Sequence, residues 1–176
     1  MSVVIWITEG TWPACVEAAL TRAAPDEEIV LLYVMDDTVV ETAHGAFAGL
    51  LGRGHPERDP GHRIEELSEA AAQELLTAAE QSLDRPVRRV LAHGRVEREV
   101  VHATTGADLL VCARDGDLAR LGPRSLGHAT RFVVDHAPCP VLLVWPGNTP
   151  RTDLPPPPPP HGPPPPPPPP GSGHRP

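Results

Sequence analysis

The chain has no lysine; all 15 of its basic residues are arginine. A P-loop lysine on a phosphate and Schiff-base chemistry are therefore both excluded, since each needs a side-chain amine. Basic blocks are missing too, and 23 acidic residues leave a net charge of −8, which disfavours nucleic-acid partners. No apolar run approaches the ~18 residues of a membrane span. The opening Met1-Ser-Val-Val-Ile-Trp-Ile lacks the basic flank and the length of a signal peptide. These absences predict a soluble, cytoplasmic protein. Cysteine is scarce: Cys15, Cys112 and Cys139 are odd in number and far apart, and two sit in or beside apolar runs. Buried free thiols are expected rather than a redox pair. The nine histidines show no metal-ligand spacing and predict no metal site.

Proline, by contrast, is abundant and badly distributed. Sixteen of 25 prolines fall in the last thirty residues, with unbroken runs at 155–160 and 163–170. Proline has no N–H and a locked φ, so such runs favour extended, solvated polyproline II. The expected division is one α/β domain over residues 1–146 and a disordered proline-rich tail over 147–176. The tail reads first as a spacer, with docking to an aromatic groove as the alternative.

Within the domain, apolar periodicity changes back and forth between two patterns. Residues 3–8 form a short β-branched run expected to be a buried strand. Glu9-Gly10-Thr11 breaks it; Thr11 is a candidate N-cap, and Pro13 suits a first helical turn. Cys15, Val16, Ala19, Leu20 and Ala23 then recur at helical spacing, and residues 29–35 are a second strand. Residues 36–61, rich in glycine, predict a long loop holding a short helix at 46–51. A strong helix is expected over 62–83, with Ile64, Leu67, Ala71, Leu75 and Ala78 on its apolar face. Further strands are expected at 87–92, 109–113 and 141–145, with helices at 97–105 and 126–136. Alternating strands and helices predict right-handed crossovers and a parallel sheet covered on both faces. The fold class is a five-stranded, parallel, doubly wound sandwich.

Such sheets bind ligands beyond the carboxyl ends of their strands. Those ends carry Thr8-Glu9-Gly10-Thr11, Val34-Met35-Asp36, His93-Gly94 and, above all, "ARDGDLARLGPRSLGHAT" at 113–130. Three glycines and several arginines crowd this last strand-to-helix passage. Its backbone must come close either to a phosphate or to another part of the chain. Arg114, Arg120 and Arg124 suit bidentate contact with phosphate oxygens. Asp115, Asp117 and Glu9 repel anions unless paired, and an Arg–Asp loop network is the plainer expectation.

Three stretches together resemble the universal stress protein family of the UspA type. They are Glu9-Gly10-Thr11 after the first strand, "ADLLV" at 107–111, and "LGHATRFVVDHAPCPVLLVW" at 126–145. The resemblance covers residues 1–146. It implies an adenine nucleotide alpha hydrolase-like fold with strand order 3-2-1-4-5, and a homodimer through Val141, Leu142, Leu143 and Val144. It also implies ATP, with Mg²⁺ as its companion. Mapped onto this chain, the site comprises Thr8, Glu9, Gly10, Thr11, Val34, Ala113, Arg114, Gly116, Arg124, Gly127, His128 and Ala129. Glu9 and the Val34 region would hold adenine and ribose, and 113–130 would surround the phosphates. The family's ATP-binding pattern is Gly, two residues, Gly, nine residues, Gly, then Ser or Thr. Here Ala113 takes the first glycine position, ten residues separate Gly116 from Gly127, and His128 stands for the hydroxyl residue.

Three functions of different class follow. One is a regulatory stress-response protein that binds an adenine nucleotide. Another is a dimerisation or partner-docking module of the same fold with a lapsed ATP site. The last is a slow nucleotide hydrolase, with Glu9 or Asp115 positioning Mg²⁺ and water. No Ser–His–Asp set or clustered metal ligands support an enzyme, and a non-enzymatic protein is expected.

Overall fold

The computed structural model describes residues 1–37, 60–119 and 121–147. The expected loop and short helix at 36–61, the proline-rich tail and Arg120 lie outside the described residues, apart from the ends of that loop and Gly147. The strands are β1 (Ser2–Trp6), β2 (Glu28–Met35), β3 (Val87–His93), β4 (Leu109–Ala113) and β5 (Val141–Val144). The helices are α1 (Trp12–Arg22), α2 (Pro60–Gln81), α3 (Val96–Ala103) and α4 (His128–His136). A 3-10 turn, Pro123–Ser125, precedes α4. All strands pair in parallel, in the order β3-β2-β1-β4-β5. Fold class and strand order both agree with expectation. No helix among the described residues is long and apolar enough to cross a membrane.

The period-2 alternation of the strands splits the core into two layers. Val3, Ile5, Ile7, Ile29, Leu31 and Val111 face α1 and α2, meeting Cys15, Val16, Ala19, Leu76 and Ala79. Val4, Trp6, Val30, Leu32, Leu110 and Cys112 face α3 and α4, meeting Val100 and Val133. Both central cysteines are free and buried, as their apolar neighbours predict. Burial pushes each thiol from the ordinary 9.0 up to about 12.

The apolar face of α2 differs from the expected stripe. Ala72, Leu76 and Ala79 face the core, and Leu83 follows them just past the helix end, whereas Leu67 is 62% and Ile64 36% exposed. Leu75 and Ala78 are half-buried and Ala71 is exposed. The buried stripe is rotated by one residue from the expected one, and burial among the described residues of the helix is confined to its C-terminal half. Thr11 also differs: it precedes α1 but makes no side-chain capping bond. Its hydroxyl lies 2.5 Å from that of Thr8 instead.

Arg85 ties the fold together at the edge opposite the strands' carboxyl ends. Its guanidinium donates to the carbonyls of Ala24 (3.0 Å), Pro25 (2.8 Å) and Glu27, just ahead of β2.

Candidate functional site at the carboxyl edge of the sheet

Two chain segments meet where β1 and β4 end. Thr8 turns the chain out of β1, its carbonyl accepting from the N–H groups of Thr11 (3.3 Å) and Trp12 (3.1 Å). Gly10 sits at φ +76 in this turn, a conformation that glycine adopts without strain. Ala113 closes β4 and is buried against the α1 side of the sheet.

The loop after β4 folds back on the segment before α4. Gly116 N–H donates to Ser125 O at 3.0 Å, and Asp117 N–H to Arg124 O at 2.8 Å. A Cβ on Gly116 would collide with the Arg124 carbonyl and stand 2.8 Å from the Ser125 carbonyl carbon. Gly116 is therefore needed for an approach of the chain to itself. Arg114 is likewise turned inward. Its guanidinium donates to the Ser125 hydroxyl and lies 5.0 Å from the centre of the Trp145 ring. Ser125 is fully buried, and its hydroxyl donates a hydrogen bond to Gly122 O at 2.7 Å.

The head of α4 carries an anion from within the chain. Gly127 N–H donates to Asp115 Oδ1 at 2.7 Å. A Cβ on Gly127 would lie 2.7–2.9 Å from that carboxylate group. The backbone at Gly127 is ordinary, φ −65 and ψ 173, so its role is space rather than a left-handed conformation. His128 opens the helix and is exposed, Ala129 is half-buried, and Thr130 is buried at 1% exposure. Arg124 is exposed on the 3-10 turn, and Arg131 donates to Pro123 O at 2.6 Å. The expected Arg–Asp network is not how Arg114 and Asp115 are held: one goes to Ser125 and Trp145, the other to a backbone N–H.

On the α2 side of the same edge, Glu9 opens into a cleft of about 360 Å³ with Tyr33, Glu74, Leu75 and Ala78. Burial, and then the charge of Glu9, raise the Tyr33 phenol above its ordinary value. Val34 does not join this cleft. One residue on from Tyr33, its side chain points to the other face among Trp6 and Leu32. Strand parity could have shown this, and it singles out Tyr33, which the sequence reading missed.

In this conformation the chain itself occupies the cradle. Asp115 fills the position at the helix head, Gly116 meets its own backbone, and Arg114 is engaged elsewhere. Among the described residues, no three of His, Cys, Asp and Glu are placed to hold a metal ion.

The architecture defines a doubly wound α/β protein whose candidate site lies where the first and fourth strands end. The universal stress protein family model matches residues 8–144, and the chain belongs to that family. Solved structures share the fold at low identity. Hypothetical protein MJ0577 is 18% identical, with a TM-score of 0.58 over 84% of this chain and 98% of that one. The UspA of Lactobacillus plantarum is also 18% identical, with a TM-score of 0.57 over 82% of this chain and 97% of that one. A universal stress protein solved in complex with cAMP is 17% identical, with a TM-score of 0.52 over 82% and 96%. No curated protein matches the sequence.

Proposed function

We propose that this chain is a stress-response regulator that acts by binding an adenine nucleotide, ATP by the family pattern, at the carboxyl ends of β1 and β4. The observation that carries this reading is the Asp115–Gly127 contact. A backbone N–H at the head of α4 already receives an anionic oxygen at 2.7 Å. That position suits a phosphate oxygen, because helix N-termini present unpaired N–H groups and a positive dipole end. The nucleotide phosphate takes the place of the carboxylate, and Asp115, being exposed, swings outward without disturbing the core. Glu9 and Tyr33 then accept hydrogen bonds from the ribose hydroxyls or the adenine amino group. The cAMP complex of a protein with the same fold supports an adenine ligand. A cyclic monophosphate also opposes Asp115 with a single charge.

Titration calorimetry on nucleotide-stripped protein tests this. Asp115→Asn is expected to tighten ATP binding about tenfold by removing one like charge at close range. It should improve cAMP less. Absence of heat from either nucleotide, on both the parent and Asp115→Asn, would rule the reading out.

The self-contacts of Gly116 and Arg114 favour a second reading, a dimerisation or docking module in which the glycines serve only the turn. Both readings include a homodimer through β5. That strand closes one edge of the sheet, and all four of its residues remain half-exposed. An unpaired strand edge of this kind invites a partner strand.

A further inference from the structure

We infer that the proline-rich segment following Gly147 docks in the groove between α1 and β5 of its own domain. The groove measures about 510 Å³ and runs along about two turns of α1 past Ala14, Ala18 and Thr21, with Val144 and Trp145 opposite. Gly147 lines the same groove, with φ +78, so the chain enters it on leaving the last strand. The occupant is thus tethered at the groove's own rim. This placement does not depend on nucleotide binding.

Reach and chemistry both match. Beyond Gly147 come 29 residues, 16 of them proline. At ~3.1 Å per residue, the run at 155–160 spans about 19 Å, against roughly 10 Å of helix between Ala14 and Thr21. The seven residues that precede the run extend far enough to lay it along the helix. Proline offers carbonyl acceptors and no N–H groups that would need partners. Trp145, which lines the groove, carries a buried indole N–H with no acceptor among the described residues. An aromatic ring beside small side chains is a surface on which polyproline II segments seat at little entropic cost. Charge agrees as well. Glu17, exposed on the groove wall, makes no ion pair among the described residues, and Arg151 is the first cation of the tail.

The test uses the full chain. In one variant both proline runs, 155–160 and 163–170, are replaced by Gly-Ser sequence of equal length; in another, Arg151→Glu reverses the charge. Neither change touches the domain. With ¹⁵N-labelled protein, the Gly-Ser variant is expected to shift the Trp145 indole resonance and the amides from Ala14 to Thr21. Arg151→Glu should shift part of the same set. Trypsin should cut after Arg151 several-fold more slowly in the parent than in the Gly-Ser variant. These differences should persist on tenfold dilution. Identical spectra for parent and Gly-Ser variant would overturn the inference. Shifts that vanish on dilution would also overturn it, by assigning the groove to a second copy.

Discussion

Asp115 does at the head of α4 what a bound anion would do: it accepts the Gly127 N–H and occupies the space in front of it. His128, next in the chain, is exposed and adds no hydroxyl there. His128→Ser is expected to tighten nucleotide binding by about 1 kcal/mol, the net worth of one hydrogen bond, as read by calorimetry. The cysteines give a second test at this scale. Cys15 and Cys112 are fully buried, whereas Cys139 is half-buried. Native protein at pH 8 should take one alkyl group, at Cys139, and unfolded protein three, counted by mass spectrometry. The two buried thiols also set a pH dependence. Their folded values lie near 12 against an ordinary 9.0, so the unfolded chain loses protons first as pH rises. Their contribution is intact below pH ~9 and is lost between about 9 and 12, and Tyr33 acts in the same direction. The melting temperature should fall across that window. From the sequence, Asp115 was legible as a charge hostile to phosphate. Its actual bond was not, because it depends on a loop turning back across twelve residues.

At the scale of elements, the strands and helices were legible because each apolar run had one period and a clear stop. What blurred was the choice of face. In α2 small and large apolar residues fall on neighbouring stripes, and only the position of the sheet decides that Leu76 is buried while Leu67 is exposed. The glycine-rich passage after β4 was legible as a close approach, without showing what was approached. Gly116 meets backbone, which cannot step aside. Gly116→Ala is therefore expected to cost about 1–3 kcal/mol, the usual range for forced overpacking. Differential scanning calorimetry should show a clear drop in melting temperature; an unchanged value would mean that the loop is not held as described. The edge strand has its own test. Leu143→Pro removes an N–H in the middle of β5 and should convert the proposed homodimer to monomers in sedimentation. A persistent dimer would place the interface elsewhere.

For the whole molecule, the boundary near residue 147 predicts that the tail is dispensable for folding. Cutting after Gly147 should lower the melting temperature by no more than ~2 °C, since a segment docked on a surface groove adds little to the buried core. A larger loss would make the tail part of the folded core rather than a segment docked on its surface. The strand order has a further consequence. β1, β2 and β3 come first along the chain and β4 and β5 follow them. β1 and β4 share three register pairs, Val3 with Leu109, Val4 with Leu110 and Ile5 with Val111, whereas β2 and β3 share seven. The two groups of strands are thus joined by a short seam that α1 helps to cover, and the candidate site straddles it, with Thr8–Thr11 on one bank and 113–130 on the other. Partial opening along this seam would separate those banks while leaving each half-sheet paired. A ligand held by both would then act as a rivet, slowing amide exchange in β4 and β5 far more than in β2 and β3.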